Sequence, residues 1–130
     1  IYTDRNATAV CALLKASLVL GEDRLPAQAL TTLDFLLENL GDEREGMYHY
    51  WDGTYNLPGL LTDQATTLRA LVEALHYTGE NRYLEPALAL ARGAGREALR
   101  SLDGQAPLAT SVAAAVASQT GQTAGGRRAW

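Results

Sequence analysis

At 130 residues, 47% of them hydrophobic and 20% charged, the chain has the ordinary balance of one globular domain, which argues against a chain disordered as a whole. A formal charge of -4, with Arg127-Arg128 as the only basic pair, leaves no footprint for phosphate backbones, so no nucleic-acid partner is expected. Lys15, Glu22, Arg69 and Glu73 interrupt the best apolar runs before the roughly 20 residues that a bilayer needs, so no membrane partner is expected and the chain reads as soluble.

The chain opens at Ile1 with no charged leader and apolar core, and reads as a segment of something longer. Asn6 to Leu20 is apolar on nearly every side, a helix that expects neighbours all round. Within it, Cys11 has no second cysteine to pair with, which suits a reducing, cytoplasmic setting; in an apolar helix it reads as buried and inert. Gly21 breaks this helix and Pro26 suits the first turn of the next. Leu30, Leu33, Leu36, Leu37 and Leu40 then recur at helical spacing among polar residues, so the second helix is amphipathic and Gly41 closes it. In the stretch 41–61, Asp52-Gly53 lies between Tyr48, Tyr50, Trp51 and Tyr55, which predicts a short hairpin-like loop at 47–56. A largely apolar helix follows over 63–77, then a break at Gly79 and a helix over about 83–101, weakened by Gly93 and Gly95. Pro107 opens a third Ala-rich start over about 107–120, and 122–130 reads as a flexible tail.

The second half repeats the first. "GEDR" at 21–24 returns as "GENR" at 79–82, an offset of 79 − 21 = 58, and the same offset lays "NATAVCALLKASLVLGEDR" on "QATTLRALVEALHYTGENR". The repeat units are about 4–61 and 62–105. A period near sixty exceeds that of the common short helical repeats, so each unit holds something extra. The repeated Glu22/Glu80 and Arg24/Arg82 read as turn residues. A buried helix followed by an amphipathic one, repeated, is what a two-layer helical toroid or superhelix requires. The fold expected is therefore all-α: a partial (α/α) toroid over 1–121 of about two and a half helical hairpins, where a closed ring takes about six.

"DRNATAVCALLKASLVLGEDRLPAQALTTLDFLL", "GLLTDQATTLRALVEALHYTGENRYLEPALALA" and "PLATSVAAAV" resemble successive stretches of the C-terminal region of thioredoxin-domain-containing proteins of the spermatogenesis-associated type. The resemblance is carried by Asp4 to Ala7, by "GLLTDQA" at 59–65 and by "TGENRYLEPA" at 78–87. The chain departs from it where Arg5 precedes Asn6 in place of a tryptophan, and where "ATS" stands at 109–111 in place of "GNS". It implies a six-hairpin toroid similar to that of N-acylglucosamine 2-epimerases and several glycosidases. It also implies missing parts of a parent chain, a thioredoxin-like domain among them; no C-x-x-C occurs in these residues, so no redox chemistry falls to them.

By analogy with toroidal carbohydrate enzymes, the 41–61 segment lies where clefts are built, and a carbohydrate ligand is the partner expected. Trp51 and Tyr55 offer flat faces to sugar rings, and His49 and Asp52 offer hydrogen bonds; equally, a long loop needs aromatics to pin itself down. Asp63, and likewise Asp4, stands at the start of an apolar helix, where a carboxylate serves either as general acid or base or as a helix cap. As a pair they would suit glycoside hydrolysis only at roughly 5 to 9.5 Å apart. His76 reads as a dipole partner near the end of its helix. His49 and His76 have no close-spaced ligand partner, so no metal and no cofactor is expected. Two readings of function follow. One is a carbohydrate-active or epimerase-like toroid with a sugar-binding rim; the other is a non-catalytic helical scaffold or interaction module supporting the thioredoxin-like domain.

Overall fold

In the computed structural model, which describes residues 1–103, four α-helices and a small three-stranded antiparallel sheet follow one another. Helix α1 spans Thr3–Leu20, α2 Arg24–Leu40, α3 Leu61–Thr78 and α4 Leu84–Asp103, with a 3-10 turn over Asn81–Tyr83 leading into α4. The strands β1 (Gly41–Asp42), β2 (Gly46–Trp51) and β3 (Tyr55–Pro58) fall between α2 and α3. Residues 1–97 form one compact unit. The fold is predominantly α, as expected, and the third helix start and the tail lie outside the described residues. No helix among the described residues is long and apolar enough to cross a membrane.

The repeated turns have one physical basis. Gly21 and Gly79 end α1 and α3 in the left-handed region, at φ 67° and 71°, and their N–H groups close onto the carbonyls of Ser17 and Leu75 at 2.9 and 2.8 Å. Glycine accepts that conformation without a Cβ clash, so both copies stop at the same letter. Pro26 and Pro86 each stand third in the helix that follows, where a missing N–H leaves no bond unmade.

Burial then assembles the core. Helix α2 turns Ala29, Leu33, Leu36 and Leu40 inward, the stripe its leucine spacing predicts. Helix α1 packs against both α2 and α3. From α1 come Ala7, Val10, Cys11 and Leu14, from α3 Ala70, Leu71 and Ala74, and the cluster is completed by Met47, Tyr83, Ala87 and Leu90. The expectation of apolar neighbours all round α1 is met in part: it packs against α2 and α3, but Leu18, Val19 and Leu20 of its last turn are exposed.

Two helix starts differ from the sequence reading. Helix α1 begins at Thr3 and α3 at Leu61, so Asp4 and Asp63 stand inside first turns and cap neither helix. The N-cap positions are Tyr2 and Leu60, and neither makes a side-chain capping bond. Position within the first turn still suits a carboxylate electrostatically, because the helix N-terminus carries partial positive charge.

Candidate functional site

The hairpin is fastened to the helices through its first long strand. Alternation along β2 sends Met47 into the core, and its backbone is gripped by the buried Gln64 of α3: Met47 N–H donates to Oε1 at 3.2 Å, and Nε2 donates to the Met47 carbonyl at 3.3 Å. Gly46 makes the approach feasible, since a Cβ there would stand 2.4 Å from Gln64 Oε1. Thr3 of α1 donates its hydroxyl to the Tyr48 carbonyl, and Ile1 and Trp51 exchange backbone bonds at 2.8 and 2.9 Å. Strand β2 is thereby held between the first turns of α1 and α3.

That placement brings Asp4, His49 and Asp63 together. Two residues along β2 from Met47, His49 turns Nδ1 toward Asp63, 3.1 Å from Oδ1 and 3.0 Å from Oδ2. Asp63 is wholly buried. Burial pushes the Asp63 carboxyl up from its ordinary value; the bond and charge of His49 pull it down, and the Asp4 charge adds to the rise. With Nδ1 committed, Nε2 is the free nitrogen of a ring that remains partly open to solvent. The ring meets Tyr2 and Tyr50 edge-on, with centroids 5.4 and 5.8 Å apart.

The other predicted residues lie elsewhere on the hairpin and the helices. Trp51 and Tyr55 face each other across β2 and β3, are 40% and 54% exposed, and so remain available as flat surfaces instead of pinning the loop inside. Tyr48 stacks on Tyr55 at 5.0 Å in a tilted arrangement. Asp52 is exposed, but its Oδ1 organises the turn, accepting from Thr54 Oγ1 and Asn56 Nδ2 at 3.1 Å each. It builds the hairpin, a role the sugar-contact reading did not give it. One turn along α1 from Asp4, an open groove of about 200 Å³ begins between α1 and α3, lined by Thr8, Cys11, Ala12, Lys15, Thr66 and Arg69. Lys15 closes one end by pairing with Glu73 at 3.0 Å. Cys11 is buried, with its thiol pushed up by desolvation, in keeping with an inert role. His76 is exposed in the last turn of α3 and takes no part in the cluster.

Sequence reasoning missed Tyr2, Gln64 and the mutual contact of His49 with Asp63. A glutamine directly after the helix-opening aspartate was the one available signal, since Gln64 interrupts a largely apolar helix. No family model matches this chain, and no curated protein matches it.

Proposed function

We propose that this chain is part of an (α/α) toroid protein acting on carbohydrate, with the β2–β3 hairpin and the first turns of α1 and α3 forming a sugar-binding rim. The observation that carries the reading is the His49–Asp63 pair. A buried carboxylate bonded to Nδ1 fixes the imidazole tautomer and leaves Nε2 to exchange a proton, the arrangement a general base needs. Trp51 and Tyr55 supply exposed aromatic faces on the same hairpin.

The pair favours epimerase-like proton transfer over glycoside hydrolysis. Hydrolysis asks two carboxyl groups to flank a glycosidic bond, and the wholly buried Asp63 reaches no sugar. In the epimerase-like reading, His49 Nε2 takes the proton from the carbon beside the carbonyl of an open-chain sugar and becomes imidazolium. Asp63 stabilises that charge, and water protonates the opposite face of the enediolate, the hydroxide left behind taking the imidazolium proton. His49 is thus the group meeting substrate, and Asp63 is a positioning residue.

A sugar panel tests this by tryptophan fluorescence and by deuterium exchange from solvent into the sugar. The expected result is saturable binding lost in Trp51→Ala, with exchange lost in His49→Gln while binding persists. A panel with no response, or a response unchanged by Trp51→Ala, refutes the reading and favours the non-catalytic scaffold supporting a thioredoxin-like domain.

A further inference from the structure

We propose that Asp4, His49 and Asp63 bind one divalent cation of borderline softness, of the Zn²⁺ or Co²⁺ class, at the junction of α1, β2 and α3. This goes beyond the sugar reading and describes another state of the same residues: with an ion on Nδ1 the ring proton sits on Nε2, so the metal-bound chain would not act as the base described above. One ligand atom from each of the three residues lies within 4.8 Å of the other two. With bonds of about 2.1 Å, adjacent donors around such an ion stand roughly 3.0 to 3.4 Å apart. The separations of 3.0 and 3.1 Å between His49 Nδ1 and the Asp63 oxygens already match that spacing, so a cation would take the place of the proton the two groups share. Asp4 has room to close in. It is half-buried, and the bond its carboxylate makes is to the adjacent Arg5 N–H at 2.8 Å.

Charge and hydrogen bonding point the same way. Two carboxylates meet here, and among the described residues no Lys or Arg forms an ion pair with either. Arg5, the nearest cation in sequence, lies over the Tyr2 ring, 5.1 Å from its centroid. With His49 neutral the three groups carry two negative charges, and a divalent cation cancels both. One turn along the same face of α3, Thr67 has a wholly buried hydroxyl with no partner, where such groups are normally bonded. One imidazole and two carboxylates suit a borderline ion, and three protein ligands leave a position for water or substrate.

The test uses the tag-free chain, stripped with chelator and titrated with Co²⁺, whose visible absorption reports coordination. One Co²⁺ per chain is expected, displaced by one equivalent of Zn²⁺. Asp4→Asn should weaken binding at least tenfold and His49→Gln should abolish the absorption, whereas His76→Gln, removing the other histidine, should change neither. Circular dichroism checks that each variant keeps its helices; if His49→Gln unfolds, the half-buried Asp4→Asn decides alone. A folded chain with no stoichiometric Co²⁺ site overturns the proposal, as does binding that is undiminished in Asp4→Asn or lost in His76→Gln. Metal binding without any sugar response would leave this site standing while the sugar reading fell, and sugar exchange without metal binding would do the reverse.

Discussion

Helices α1 and α3 carry similar stretches of sequence, displaced by 58 residues, and they bury opposite faces. The inward residues of α1 are Thr3, Ala7, Val10, Cys11, Leu14 and Ser17; those of α3 are Asp63, Gln64, Thr67, Ala70, Leu71 and Ala74. Subtracting 58 from the second set gives 5, 6, 9, 12, 13 and 16, none of them buried in α1. Five of the six inward residues of α1 fall on inward residues of α3 at an offset of 60, two residues more than the repeat, which at 100° per residue turns a helix by about 200°. Two copies lying side by side must meet through opposite sides, as neighbours in any row do. A repeat unit therefore needs apolar residues on both sides, while each copy uses the side its neighbour occupies.

Pairs of equivalent positions offer the sharpest way to break this comparison. Leu14 is 2% exposed and its counterpart Val72 is 37% exposed. Leu14→Ala should cost about 2–5 kcal/mol in denaturant unfolding, as truncations in packed cores do, against a few tenths of a kcal/mol for Val72→Ala. Equal losses at both positions would show that the two helices bury the same face after all.

The turns should behave alike, because their role is set by backbone conformation and not by neighbours. Gly21→Ala and Gly79→Ala each force a Cβ into the left-handed region, and thermal melts should report losses of about 1–2 kcal/mol of similar size at both. A large disparity would mean that the two breaks only look equivalent.

The smallest effects separate the charges of the two turns. Arg82 pairs with Glu80, reaches Asp34 of α2 at 3.0 Å and lies over the Tyr83 ring, whereas Arg24 makes no ion pair among the described residues. Arg82→Ala should lower the melting temperature slightly, by an amount that fades at high salt, and Arg24→Ala should leave it unchanged. Beside Arg82, burial, reinforced by the Asp34 charge, pushes the Tyr83 hydroxyl up to about 12. A folded-state pKa above the unfolded value of about 10 means that the neutral phenol is the form the fold prefers. Its contribution is complete below pH 10 and is lost as pH rises toward 12, which ultraviolet titration of Tyr83→Phe against the parent chain would show as one late-titrating tyrosine removed.

Local signals made much of the fold legible. The leucine spacing of α2, the glycine stops and the Asp52-Gly53 turn are decided by neighbours a few residues away, and each is found where the sequence places it. The starts of α1 and α3 were less legible: an aspartate before an apolar run looks like a cap, but here the first turn begins before it, and Asp63 is buried while Asp4 is half-buried. Asp4, His49 and Asp63 could each be singled out from the sequence, but not their convergence. His49 and Asp63 are 14 residues apart and Asp4 belongs to another helix, so no spacing rule connects them.

The sequence by itself determined where helices stop, which turn forms and that one unit is written twice, because those outcomes depend on backbone freedom and short-range periodicity. Only the tertiary structure decided which face of each repeated helix is buried and that Asp4, His49 and Asp63 converge. Both outcomes arise from packing between segments distant along the chain, and the free energy of burial depends on which surfaces meet.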